Sequence, residues 1–103
     1  MKKFSEQDIT DHLSAQLINW SYEKGVIKRD FRFKTFVDAF SFMTAVAMEA
    51  EKMDHHPEWT NVYNKLSIRL NTHSEDGITR LDFDLAGKID NVWKLYEGES
   101  QTH

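Results

Sequence analysis

Apolar residues along the chain change period several times, and each change marks an element. Ile9, Leu13 and Leu17 recur at i, i+4 and i+8, the single stripe of an amphipathic helix. Ser5-x-x-Asp8 precedes them in capping-box form, a hydroxyl placed to satisfy a free backbone N–H. The period then shortens. Trp20 and Tyr22 alternate with polar residues, Glu23-Lys24-Gly25 reads as a turn, and Val26 to Phe33 alternates again. Ile27, Phe31 and Phe33 fall on one side, with Lys28, Asp30 and Arg32 opposite. This predicts a hairpin with one buried face.

Thr35-x-x-Asp38 is a second capping-box-like start, and the pattern after it predicts a helix to about Met53. At ~100° per residue, its apolar positions from Phe36 to Met53 fill an arc about 160° wide, broader than the ~100° stripe a surface helix needs. One reading of that arc is a central core helix. Packing of part of it on a second subunit, with Met43, Ala47 or Ala50 near the contact, is the other reading.

Pro57 ends helical geometry before itself, so Met53 to Trp59 reads as a loop. Leu66, Ile68 and Leu70 then alternate with polar residues. His73 to Gly77 reads as a turn, and Leu81, Phe83 and Leu85 as the apolar face of a fourth strand. In that register Asp82 lies beside Arg69 or Asn71, on the same polar side as His73. Leu85, Ile89, Val92, Trp93 and Tyr96 give a last helix. The order is α-β-β-α-β-β-α: an α+β domain with a four-stranded antiparallel sheet covered on one face by helices.

The 103 residues fit one domain, 1–103, with residues 97–103 read as a disordered tail. Thirteen Lys and Arg against 17 Asp and Glu give a net charge of −4, which disfavours direct nucleic-acid binding. No apolar run suits a membrane span or a signal peptide. With no Cys there is no disulfide, thiolate metal site or cysteine nucleophile. Together these predict a cytoplasmic protein.

Three of the five His stand in the middle of the chain. Adjacent His55 and His56 admit three readings: a solvated loop, a metal site, or acid–base chemistry by imidazoles that titrate near neutrality. Their spacing matches no standard zinc pattern. Trp59 is either a core aromatic or a stacking wall, and its place after His-His-Pro-Glu points to the rim of a pocket. No Gly-rich phosphate loop and no Gly-x-Ser-x-Gly elbow occurs. His12 and His103 stand alone and read as surface residues.

The spaced set Glu51-x-x-x-His55-His56-Pro57, then Tyr63, His73 and Asp82, resembles the pterin-4a-carbinolamine dehydratase family. Phe31-x-Phe33-x-x-Phe36, Asn61-x-Tyr63-Asn64-Lys65-Leu66, Thr72-His73 and Gly77-Ile78-Thr79-x-x-Asp82 agree with it, so the resemblance covers about residues 5 to 96. It implies a hydro-lyase that dehydrates 4a-hydroxytetrahydropterin to quinonoid dihydropterin. That step recycles the cofactor of aromatic amino-acid hydroxylases. It implies no metal and no cofactor, a pterin as small-molecule substrate, and a homo-oligomer, a tetramer. His55, His56 and His73 match the family's active-site histidines. Glu51, Asp54, Pro57, Trp59, Thr72 and Asp82 match its supporting positions, and Asn71 stands where some members carry Ser. On this basis His55 and His73 are expected to transfer protons and His56 to orient the pterin, with Asp82 or Glu51 fixing an imidazole tautomer. The alternative implied is a protein-binding module, since some animal members act as dimerisation cofactors of a transcription factor.

Overall fold

The computed structural model of the chain describes residues 2–101. Ser5 and Thr35 each accept a hydrogen bond from the backbone N–H three residues on, both at 3.1 Å. Helices α1 (Glu6–Gln16) and α2 (Phe36–Met53) begin directly after these caps. Between them lies the first hairpin, β1 (Ser21–Glu23) and β2 (Val26–Arg32). Its turn residues Lys24 and Gly25 both have positive φ, 50° and 82°. That is the mirror-image two-residue turn whose twist suits paired strands, and glycine enters it without strain.

The second hairpin is β3 (Glu58–Val62) and β4 (Lys65–Leu70). The sheet runs β1-β2-β4-β3, antiparallel throughout. Pairing of Ile27 with Leu70 and of Phe31 with Leu66 joins the hairpins. Period-2 alternation then puts Ile27, Phe31, Leu66, Ile68 and Leu70 in the core, while Lys28, Ser67 and Arg69 fall on the other face. Phe42, Val46, Leu85 and Ile89 of the helices fill the remaining core. Arg29 shares the inward face and is satisfied there: it pairs with Asp90 at 2.6 Å, Trp20 donates to the same oxygen at 2.9 Å, and the guanidinium lies 4.7 Å from the Phe31 ring centre.

The α+β order and the covered antiparallel sheet are as expected, but the second hairpin is not where the alternation of Leu81, Phe83 and Leu85 put it. Those residues belong to helix α3 (Arg80–Gln101). Asp82, Leu85, Ala86 and Ile89 are all fully buried, an i, i+3, i+4, i+7 set that only a helix presents to one side. Residues 58–62, read as leading out of a loop, supply the missing strand. The expected neighbour of Arg69 is therefore replaced: Arg69 pairs with Glu58 and Lys28, not with Asp82. The tail expected from residue 97 falls partly on α3 and partly on Thr102 and His103, which lie outside the described residues.

The segment ahead of α1 is also fixed. Phe4 N–H donates to the Ile78 carbonyl at 2.8 Å, and its ring stacks on Phe83 with centres 5.0 Å apart. His12 is half-buried and stacks on the other side of this cluster, 4.0 Å from Phe83, so it is not a free surface residue. The broad arc of α2 divides in two. Ala39, Phe42, Val46 and Ala50 are core; Phe36, Val37, Phe40, Ala47 and Met48 are exposed. Ala50, at 1% exposure, has no surface to offer a second subunit. Among the described residues no helix is long and apolar enough to cross a membrane.

Candidate active site

The site begins with the way α2 ends. Asp54 takes the left-handed conformation, φ 51° and ψ 41°. This lets the Asp54 N–H donate to the Glu51 carbonyl and the His55 N–H to the Ala50 carbonyl, both at 3.1 Å. The paired bonds form a Schellman stop, which satisfies carbonyls the helix end leaves free. Asp54 tolerates the left-handed region better than bulkier residues do. Its place in the expected site is that of a backbone corner, aiming His55 and His56 out of the helix, while Pro57 begins the extended approach to β3.

His55 turns inward. It retains 9% exposure, and its Nε2 lies 2.7 Å from Asp82 Oδ1. Asp82 has no exposure at all, yet its carboxylate is well partnered. Oδ2 accepts from Thr72 Oγ1 at 2.7 Å and from the Thr79 N–H at 2.9 Å. Thr79 precedes α3 and its hydroxyl accepts from the Leu81 N–H at 3.2 Å. Thr79 and Asp82 thus form a capping arrangement in which the acidic partner also holds a histidine. Asp82 reaches this place as a first-turn residue of α3, not on a strand of a hairpin shared with His73.

His56 points outward and meets Glu51 at 2.9 Å. Both side chains are more than half exposed, 59% and 80%, so water screens the pair and it contributes little to stability. His73 opens a short 3₁₀ turn, His73–Glu75. The loop around it is tied shut by Thr72 and Gly77, whose backbones bond in both directions at 2.8 and 3.4 Å. Thr72 thus faces Asp82, while His73 reaches the opposite side.

There His56 and His73 meet at a cavity of about 250 Å³, lined also by Val26, Glu58, Arg69, Asn71 and Asp76. Asn71 donates to the Gly25 carbonyl at 2.7 Å, locking the end of β4 to the first hairpin turn. Trp59 does not line this cavity. In β3 it alternates with Glu58, so Glu58 faces the cavity and Trp59 packs against the core. Glu58, Arg69, Val26 and Asp76 were not picked out as site residues from sequence, because only the β3–β4 register brings Glu58 and Arg69 opposite each other. A larger cleft of about 950 Å³ between α1 and α3 holds none of the expected site residues. Among the described residues no three His, Asp or Glu side chains converge as a metal-ligand set.

The structure thus holds His55 on a buried carboxylate and, apart from it, His56 and His73 at a small cavity; imidazole is a side-chain type suited to proton transfer. Residues 2–92 match the family model described as pterin 4 alpha carbinolamine dehydratase, and the chain belongs to that family. A provisionally named pterin-4-alpha-carbinolamine dehydratase of Rhizobium meliloti is 50% identical over 93 residues, 88% of each chain. One from Christiangramia forsetii is 46% identical over 92 residues, covering 89% of this chain and 94% of its own. Among solved structures, a transcriptional coactivator/pterin dehydratase from Brucella melitensis superposes with a TM-score of 0.84 at 41% identity, over 88% of this chain and 98% of its own. A pterin dehydratase-like RuBisCO assembly factor of the alpha-carboxysome shares the fold, with a TM-score of 0.62 at 18% identity over 72% of this chain and 88% of its own.

Proposed function

We propose that the protein dehydrates a 4a-hydroxytetrahydropterin to the quinonoid dihydropterin, in the recycling of the cofactor used by aromatic amino-acid hydroxylases in the cytoplasm. The observation that supports this reading is the meeting of His56 and His73 at one small cavity, with His55, the chain neighbour of His56, held separately on fully buried Asp82. The family gives the substrate class.

Hydroxide leaves poorly, so the C4a oxygen must be protonated as its bond to C4a breaks. The N5 proton must be taken as the C=N bond forms. Two imidazoles working near their own pKa range can supply both steps without a metal. We assign the transfers to His55 and His73. His55 has a buried partner that fixes its ring; His56, paired only with exposed Glu51, is suited to holding and orienting the pterin. A cavity of about 250 Å³ is small beside the ~300–1,000 Å³ typical of ligand pockets, and suits the bicyclic head with its substituent outside. Stopped-flow dehydration of enzymatically generated carbinolamine tests the reading; no acceleration over the uncatalysed reaction sinks it.

The same proposal includes self-association, as a tetramer. Phe36, Val37, Phe40 and Met48 form an exposed apolar stripe along α2, the kind of patch that soluble monomers rarely leave open and that symmetric pairing covers. The Brucella relative's description as a coactivator favours a second reading, a protein-binding role for this stripe, and the two readings compete for one surface.

A further inference from the structure

We infer that Thr79 is a positioning residue for His55, acting through an ordered hydroxyl relay, Thr79 to Thr72 to Asp82. The inference rests on the dehydratase reading for its effect on turnover, but not for its effect on the ring itself.

The order of the relay follows from counting protons. Thr72 and Thr79 hydroxyl oxygens lie 2.8 Å apart, both buried, and either could donate. Thr72 has one hydroxyl proton and gives it to Asp82 Oδ2. Thr79 must therefore be the donor to Thr72, and its oxygen is left as acceptor for the Leu81 N–H. Every hydroxyl proton in the group has one place to go. Oδ2 then receives two donors, Thr72 Oγ1–H and the Thr79 N–H. An ionised carboxylate only accepts, so Asp82 Oδ1 requires a proton on the His55 Nε2 that faces it. His55 is thereby held in the Nε2–H tautomer, with Nδ1 as the nitrogen free to accept a proton.

Thr79 touches neither His55 nor the cavity, and its effect is on direction. By filling an acceptor site on Thr72 it commits the Thr72 proton to Asp82. Without it the Thr72 hydroxyl turns freely and Oδ2 loses a fixed donor; the carboxylate then binds a proton more readily, and a form in which Oδ1 carries a proton taken up from solvent and donates it to Nε2, with the ring's own proton on Nδ1, becomes accessible. An N-cap role alone would need only the Thr79 oxygen. The relay needs its proton as well.

Two variants separate these roles. Thr79→Val removes cap and relay together; Thr72→Val removes the relay and leaves the Leu81 N–H bond to Thr79 in place. The readout is the ¹⁵N spectrum of His55 in the unliganded protein, where the two tautomers give distinct Nδ1 and Nε2 shifts, together with kcat and KM. In the unmodified chain His55 shows one tautomer, Nε2–H. Both Val variants shift it toward a mixture, kcat falls in proportion to the Nε2–H fraction lost, and KM is unchanged. Thr79→Ser restores the single tautomer. A single Nε2–H tautomer retained in either variant that folds overturns the inference, as does Nδ1–H in the unmodified chain. An unmodified protein that shows the expected tautomers but no dehydration would instead sink the proposed function and leave the relay standing.

Discussion

His55 and Asp82 lie 27 residues apart in the chain and 2.7 Å apart in the fold, the carboxylate wholly buried at the Nε2 edge of the ring. Removing the carboxylate leaves a buried imidazole with no partner, and hydrogen bonds to charged groups are worth about 1.5–3 kcal/mol. Asp82→Ala is expected to lower stability by that order, read from denaturant midpoints, and kcat by at least about 10²-fold. Asp82→Asn keeps the shape and can donate to the ring. Its stability should lie closer to the unmodified chain while its kcat falls as far, and an active Asn variant would contradict the tautomer argument.

The three histidines should separate by kinetic signature. Loss of a general acid or base typically reduces rate by about 10²–10⁴-fold. His55→Ala and His73→Ala are expected to lower kcat within that range. His56→Ala should mainly raise KM, as expected when ground-state and transition-state binding weaken together. The assignment fails if His56→Ala gives the largest fall in kcat with KM unchanged.

Asp54 offers a test on the backbone alone. Its left-handed conformation is one that glycine adopts freely and that disfavours other residues by roughly 1–2 kcal/mol. Asp54→Gly should keep or raise stability and retain most activity. Asp54→Val should lower stability by about 1–2 kcal/mol and reduce activity further, because the corner it strains also aims His55. Equal activity in the two variants would show that the corner does not govern the site.

Exhaustive chelation is expected to leave turnover unchanged, since the described His, Asp and Glu side chains form no ligand set. Activity lost with EDTA and restored by one divalent ion would contradict imidazole-only chemistry.

The apolar stripe on α2 can be tested without disturbing the core. Phe40 and Ala47 are exposed within the protomer, so Phe40→Glu or Ala47→Glu should dissociate the assembly and leave the fold intact. Light scattering should show a mass several-fold above the 12.1 kDa chain for the unmodified protein, and about that of the chain for the variants. A 12.1 kDa species for the unmodified protein would remove the association argument.

Elements with local signals were legible in the sequence. The caps at Ser5 and Thr35, the Lys24-Gly25 turn and the end of α2 at Met53 all depend on contacts within a few residues. The start of α3 was not, because Leu81, Phe83 and Leu85 fit a strand, and buried Asp82 looks like the polar side of one. Ala86 and Ile89 decide for the helix, and Thr79 with Asp82 carries the cap signal that alternation hides. In the site, His55, His56, His73 and Asp82 stood out by spacing. Their division did not: which histidine faces Asp82 and which faces the cavity depends on the Asp54 corner and the β3–β4 register, both set by tertiary packing.

The bond from Phe4 to Ile78 makes the surroundings of His73 a long-range product of the chain. Ile78 follows the Thr72–Gly77 loop and leads into the cap of α3, so its brace comes from the far end of the domain. Contacts of such separation form late, after loop-closure entropy has been overcome. During synthesis the loop that carries His73 would leave the ribosome after every earlier element, and would find its brace already waiting. A fusion or trimming at residues 2–4 would therefore act on turnover before it acts on the sheet.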